Sequence, residues 1–140
     1  DDLMNILTCV TRSLIYIQDN GLKNCFLTKQ SIVCVSGRFI VLDSSIAIRH
    51  HPYYSYMMGE SLPDDVFLSP EIIEVTTKLT KQLRLCATDP YISPKSDVYT
   101  LGVLMLHLAC LESLATYFDY AALQVDQENL ILKIDRVRYS

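Results

Sequence analysis

The stretch GLKNCFLTKQSIVCVSGRFIVLDSS, residues 21–45, has the layout of a catalytic segment. A loop that begins with Gly21 leads into a short strand, a tight turn and a second strand that ends at Asp43. A carboxylate can bind a magnesium ion and, through it, the phosphates of a nucleotide. Asp43 therefore has two possible roles, as a magnesium–nucleotide ligand or as an ordinary turn residue, and we favour the second.

Cysteine and histidine side chains offer weaker signals for chemistry. Cys25 could be a nucleophile or a redox sensor, but no histidine adjoins it in sequence, and we expect a small buried side chain instead. His50 and His51 could bind a metal, but they lack an acidic or cysteine partner, which favours plain loop residues. His107 lies within an apolar run, where we expect a hydrogen-bonded core histidine.

The composition limits the classes of partner. The chain has 140 residues, 50% of them apolar and 20% charged, as expected for one globular domain over residues 1–140. The net charge is −4 and the 12 Lys and Arg residues are scattered, so the basic stripe of a nucleic-acid-binding protein is missing. The longest apolar run, residues 98–111, is shorter than the ~20 residues that cross a bilayer. We expect a buried helix there and no membrane partner.

Cysteine usage favours a reducing compartment. The five cysteines form no CxxC pair and are odd in number, which argues against a disulfide framework and a zinc site. The chain opens with Asp1-Asp2 and has no secretory or transit-type leader, so we expect a cytoplasmic segment of a longer protein. Association with the cytoskeleton is the more specific alternative.

Local patterns predict a mainly α protein with a small β-hairpin. Apolar residues at helical spacing, followed by Asn20-Gly21, predict an N-terminal helix of about 16 residues. The β-branched runs 32–35 and 38–42 flank Ser36-Gly37, which predicts two strands joined by a two-residue turn.

The rest of the chain is predicted to form loops and three further helices. Residues 43–70 lack a period and predict a long surface loop, and residues 71–85 are weakly helical. Residues 96–112 are apolar on nearly every side and predict the central buried helix, and a last helix is expected near residues 128–134. The side chains expected to be almost fully buried in the central helix are Val98, Leu101, Leu104, Met105 and Leu108.

The order of these elements resembles the C-terminal lobe of the eukaryotic protein kinases over nearly the whole chain. SDVYTLGVLMLHLACLE resembles the central helix of that lobe, and Leu68-Ser69-Pro70-Glu71 resembles its Ala-Pro-Glu motif. GRFIVLDSSIA resembles the strand that leads into Asp-Phe-Gly, and LKIDRVRY the approach to later helices. The resemblance implies a truncated lobe: the N-terminal lobe, with its Gly-rich loop and lysine, and the last helices have no counterpart. Such a lobe is either a fragment or is covered by partners.

The family's catalytic motifs fall on unsuitable residues. The His-Arg-Asp motif corresponds to Asn24-Cys25-Phe26, so Phe26 replaces the catalytic base. The asparagine that follows this motif in the family corresponds to Ser31, which therefore replaces a magnesium ligand. Asp-Phe-Gly corresponds to Asp43-Ser44-Ser45, which keeps one ligand. The resemblance therefore implies no phosphoryl transfer and no cofactor. Binding of ATP and magnesium through Asp43 is the alternative.

Two acidic residues and one loop have other implied roles. The family aspartate that matches Asp97 holds the catalytic loop, and the glutamate that matches Glu71 pairs with a later arginine. The loop HHPYYSYMMGE corresponds to the activation segment, and Tyr and Met are enriched in interfaces. We expect a protein partner there, with packing on the chain's own lobe as the alternative. The expected contact residues are Tyr53, Tyr54, Tyr56, Met57 and Met58, with Phe67 as an addition.

These expectations describe a pseudokinase module that acts as a scaffold or interaction piece of a multi-subunit assembly. Its partners would be other proteins. Two alternatives stay open: a divergent serine/threonine kinase, and a nucleotide-sensing pseudokinase, each with its N-terminal lobe outside this segment.

Overall fold

A computed structural model describes residues 2–21, 27–42, 66–78, 95–120, 122 and 124–139. This part of the chain is mainly helical and contains a small antiparallel hairpin, as predicted. The helices are α1 (Asp2–Asp19), α2 (Pro70–Lys78), α3 (Lys95–Cys110) and α4 (Gln127–Tyr139). The strands are β1 (Ile32–Val35), β2 (Arg38–Val41), β3 (Phe118–Asp119) and β4 (Gln124–Val125).

Helix α1 follows the predicted pattern. Val10 and Leu14 are its buried residues, one helical turn apart on the same face. The N–H of Asn20 donates to the carbonyl of Tyr16, and Gly21 follows with a φ of +88°. Glycine adopts this left-handed conformation without the steric cost of a Cβ atom, so Asn20-Gly21 ends the helix as expected.

The hairpin β1–β2 also forms as predicted. Ser36 and Gly37 both have positive φ, 51° and 77°, which is the geometry of a turn that matches the twist of the flanking strands. Ile32 pairs with Val41 in the antiparallel register. Both of these side chains pack against a cluster formed with α1, which we call the α1 cluster: Val10, Leu14, Leu27 and Leu101.

Helix α3 connects the α1 cluster to a second apolar cluster. Leu101 belongs to the first, whereas Val103 and Leu104 belong to the second. This second group, the Phe67 cluster, comprises Phe67, Val103, Leu104, Leu114, Phe118 and Leu130. Helix α3 is therefore central to the described part of the chain.

The prediction that five side chains of α3 are almost fully buried holds for two of them. Leu101 and Leu104 are buried as expected, but Met105 and Leu108 are only half-buried and Val98 is 61% exposed. The buried and half-buried positions surround most of the helix, and the exposed positions form one narrow stripe: Lys95, Val98, Gly102 and Ala109. Apolar sequence alone does not identify which face has a neighbour.

The prediction of a surface loop up to residue 70 fails at its C-terminal end. Val66, Phe67, Leu68 and Ser69 are all at most 2% exposed. The interface role proposed for Phe67 is therefore wrong, because its ring lies inside the cluster that bears its name, 5.2 Å from the ring of Phe118. Residues 66–69 have no regular secondary structure, which is why no periodic pattern marked them as core.

A second small hairpin, β3–β4, was not predicted. Phe118 pairs with Val125 and Asp119 with Gln124. Strands of two residues are too short to give an alternating pattern. Helix α4 follows and extends beyond the predicted residues 128–134, with Asp126 accepting a hydrogen bond from the N–H of Asn129 at 3.1 Å.

None of the helices in the described ranges is long and apolar enough to cross a membrane.

The position of α3 gives a test of the core. Leu104→Ala should lower the free energy of unfolding by about 2–5 kcal/mol, because the Leu104 side chain is 1% exposed and its loss leaves a cavity. Val98→Ala on the same helix should change it by less than about 0.5 kcal/mol, because that position is largely exposed. Urea unfolding followed by circular dichroism measures both. Equal effects would contradict this packing.

Candidate functional site

Residues 27–31, which the kinase resemblance matches to the end of the catalytic loop, are closed on themselves by hydrogen bonds. The Ser31 hydroxyl donates to the carbonyl of Thr28 at 2.7 Å and accepts from the N–H of Thr28 at 2.9 Å. The Thr28 hydroxyl in turn accepts from the N–H of Ser31 at 3.2 Å. This reciprocal arrangement is a capping box around a short 3-10 turn, Lys29–Ser31.

Ser31 occupies the position that the kinase resemblance assigns to a magnesium ligand. Its side chain is buried, and its hydroxyl both donates and accepts within the turn. Its carbonyl accepts from the N–H of Leu42 at 2.7 Å, which ties the loop to the end of β2. A hydroxyl already used in this way is a poor metal ligand, since binding an ion would cost these hydrogen bonds. The other predicted motif positions, Asn24, Cys25, Phe26 and Asp43, lie outside the described residues.

Residues 66–69 run through the core, and side chains from later elements pair their backbone. The Tyr120 hydroxyl donates to the carbonyl of Val66 and accepts from the N–H of Leu68 at 3.1 Å. The hydroxyl oxygen of Thr100 lies 3.0 Å from the carbonyls of both Phe67 and Ser96, which share its single hydrogen. Buried backbone groups need such partners, so Tyr120 and Thr100 stabilise an extended segment where no strand pairs with it.

Glu71 and Asp97 stand where two helices begin. Glu71 is half-buried in the first turn of α2 and accepts a hydrogen bond from the Ser96 hydroxyl at 2.9 Å. Asp97 is 1% exposed in the first turn of α3, where a negative charge is favoured by the helix dipole. Glu71 thereby links α2 to α3. Within the described residues it forms no ion pair, so the arginine partner implied by the kinase resemblance stays a prediction.

In the part of the chain that the structure describes, three buried polar atoms near these helices have no hydrogen-bond partner: the Ser69 hydroxyl, the Tyr99 hydroxyl and Nδ1 of His107. Burial raises the pKa of Tyr99, and the negative charge of Glu71 raises it further. The expectation that His107 is hydrogen-bonded fails at Nδ1. Its ring instead lies 5.9 Å from that of Phe67, an aromatic contact inside the core.

An exposed apolar surface near the turn Lys29–Ser31 lies on the hairpin. Strand register places Val33 opposite Ile40, and both point away from the Ile32–Val41 side that packs on the α1 cluster. We call this surface the outer hairpin face. Its members are Val33, which is half-buried, and Val35, Ile40 and Leu42, which are 52%, 44% and 48% exposed. The sequence does not indicate which face is exposed, because both faces of the hairpin are apolar and no alternation of polar and apolar residues occurs.

The predicted interface residues Tyr53, Tyr54, Tyr56, Met57 and Met58 lie outside the described residues. Among the residues that are described, no three His, Cys, Asp or Glu side chains come together as a metal site would require. Cys9, Cys34 and Cys110 are free thiols.

Two tyrosines offer opposite tests of this polar network. Tyr120→Phe should lower the free energy of unfolding by about 1–3 kcal/mol, because it leaves a buried carbonyl and N–H unpaired. Tyr99→Phe should raise it by about 1 kcal/mol, because it removes a buried hydroxyl that has no partner. Urea unfolding at neutral pH measures both variants, and the same sign in both would contradict the assignment.

The pH dependence supplies a further readout for Tyr99. Its pKa is raised in the folded protein, so the folded state favours the neutral phenol. Ionisation then favours unfolding, and this contribution to stability is present below pH 10.0 and is lost as the pH rises through the folded pKa. Tyr99→Phe should therefore lose less stability than wild type at alkaline pH.

Comparison with protein-family models, with curated proteins and with solved structures gives no significant match to this chain. The kinase resemblance rests on the motifs and their order alone.

Proposed function

We propose that this chain is a kinase-like C-terminal lobe without catalytic activity that serves as a protein-interaction module of a larger assembly. The observation that carries the proposal is the outer hairpin face, an exposed apolar surface beside a turn in which the Thr28 and Ser31 hydroxyls are already paired.

The loop residues support the absence of phosphoryl transfer. Catalysis of this reaction depends on metal ions that neutralise charge and on a base that accepts the substrate's proton. By the kinase resemblance Phe26 stands at the base position, and a phenyl ring cannot accept a proton. Ser31 stands at a ligand position, and its hydroxyl is engaged with Thr28 inside the turn.

The outer hairpin face supports the interaction role. Scattered exposed apolar residues are ordinary on protein surfaces, but Val33, Val35, Ile40 and Leu42 are neighbours on one side of one sheet. Excluding water from this face would stabilise a complex, since burial of apolar area is the dominant favourable term in association.

The chemistry of the same face favours a protein partner. Arg38, opposite Val35, is the only charged residue of β1 and β2, so the face lacks the repeated basic groups that bind phosphate backbones. The whole chain carries a net charge of −4, which disfavours nucleic acid and anionic membrane surfaces.

The first test is direct. The purified protein, incubated with radiolabelled ATP and either magnesium or manganese, should transfer no more label to generic protein substrates than the Asp43→Ala variant does. Incorporation above that control would revive the divergent-kinase alternative. ATP binding without transfer, lost in Asp43→Ala, would support the nucleotide-sensing alternative.

The second test addresses the interface. The double variant Val35→Ser, Ile40→Ser should recover clearly less of its associated proteins than wild type when tagged protein is purified from its native cells. Its fold should persist, because both side chains are about half exposed. The matched control is Met4→Ser, Ile15→Ser, two α1 residues that are 56% and 53% exposed. Replacing Tyr53, Tyr54 and Tyr56 by Ser tests the predicted loop contact in the same assay. Undiminished recovery with both the hairpin and the loop variants would refute the interaction role.

A further inference from the structure

The residue pair that ends α1, Asn20-Gly21, combines two groups that react with each other in water. Of the asparagines in the chain, Asn20 alone precedes a glycine. The backbone nitrogen of the next residue can attack the side-chain amide carbon of an asparagine, and a glycine hinders this approach least because it lacks a Cβ atom. Both residues are exposed, and a Cβ atom built on Gly21 would have nothing within 4 Å. Water therefore reaches the pair.

The reaction is a deamidation and needs water as its only co-reactant. The Gly21 nitrogen forms a bond to Cγ of Asn20, the Cγ–Nδ2 bond breaks, and ammonia leaves with the proton of the Gly21 N–H. Water then opens the resulting succinimide ring at either of its two carbonyl carbons. The products are aspartate and isoaspartate, and in isoaspartate the backbone runs through Cβ and Cγ of residue 20. Nothing is oxidised or reduced.

Hydrogen bonds at the end of α1 hold both reacting groups. The N–H of Gly21 donates to the carbonyl of Gln18 at 3.0 Å, and the nitrogen must lose this proton before it can attack. Nδ2 of Asn20 donates to the carbonyl of Tyr16 at 2.8 Å, which fixes the amide on the last turn of the helix. Both bonds must break before Cγ and the nitrogen can meet, so the folded helix end slows the reaction.

Either product would weaken the same helix end. A carboxylate at residue 20 cannot donate a hydrogen bond to the carbonyl of Tyr16. Its negative charge would also lie beside Asp19 at the C-terminal end of α1, where the helix dipole disfavours it. Isoaspartate in addition lengthens the backbone before Gly21, so the N–H of Gly21 would move away from the carbonyl of Gln18.

We propose that Asn20 is a site of spontaneous deamidation that the last turn of α1 holds in check, and that the reaction loosens this turn irreversibly. Ile17 holds the turn down, because its half-buried side chain packs against the α1 cluster. Ile32 and Val41 of the hairpin pack against the same cluster, so the modification acts where α1 meets the hairpin. The inference does not depend on the function proposed above.

The first test compares folded protein with protein in guanidinium chloride, both incubated at mildly alkaline pH. Trypsin then places each asparagine on its own peptide, and mass spectrometry measures the conversion of amide to acid. Asn20 should convert at least about tenfold more slowly in the folded protein, because the reaction there requires opening of the helix end. Asn5 and Asn129, which precede Ile6 and Leu130, are internal controls and should convert far more slowly than Asn20 in the denaturant.

The second test loosens the turn by one substitution. Ile17→Ala should speed the conversion in the folded protein by about threefold or more, because lost packing favours opening of the turn. The matched control is Tyr16→Ala in the same turn, which removes a side chain that is 71% exposed and should convert as wild type does. Circular dichroism checks that both variants are folded. Equal rates in folded and denatured protein would overturn the inference, and so would equal rates in Ile17→Ala and wild type.

The third test measures the effect of the product. Asn20→Asp should unfold at a lower urea concentration than wild type, because it loses the hydrogen bond to Tyr16 and adds charge at the wrong end of the helix dipole. Asn5→Asp makes the same chemical change in the first turns of α1, where negative charge is favoured, and should not lower this midpoint. An unchanged midpoint in Asn20→Asp would show that deamidation does not loosen the turn and would equally overturn the inference.

Discussion

Burial of α3 between two apolar clusters is the constraint on which the described fold depends. Leu101 packs in the α1 cluster. Leu104, three residues further along α3, packs in the Phe67 cluster. Ile32 contacts both clusters from the hairpin. Because α3 contributes side chains to both clusters, the positions of the hairpin, of α1 and of the buried segment 66–69 all depend on α3.

The second requirement is that the polar groups brought into this core find partners. Segment 66–69 pairs with none of the described strands, and the hydroxyls of Tyr120 and Thr100 contact its backbone groups instead. Tyr99 and Ser69 show that this pairing is incomplete within the described ranges, since their buried hydroxyls have no partner there. Each such hydroxyl lowers the net stabilisation that burial provides.

Local chemistry explains which features the sequence could predict. The Asn20-Gly21 helix end and the Ser36-Gly37 turn follow from backbone preferences of a few adjacent residues, and both occur as expected. The burial of Phe67 and the exposure of Val98 depend on which elements meet in space, and α3 is apolar on too many sides for its sequence to distinguish them. The engagement of the Ser31 hydroxyl also has a local cause, because Thr28 and Ser31 stand at capping-box spacing, but this engagement was not predicted.

The described residues differ in which groups already have a partner: the polar groups of the turn 28–31 are hydrogen-bonded, whereas apolar side chains of the hairpin are exposed. Catalytic loops keep polar groups free and aimed at a substrate, so that they interact only as the reaction proceeds. Here the described end of the loop uses its hydroxyls and backbone groups on one another, through Thr28 and Ser31. The outer hairpin face, in contrast, leaves apolar area in contact with water. Burial of that area against another molecule would be favourable, and the hydrogen bond from Leu42 to the carbonyl of Ser31 ties the hairpin to this turn. In the function proposed above, the turn that makes Ser31 a poor metal ligand therefore also helps to position the surface that a partner would contact.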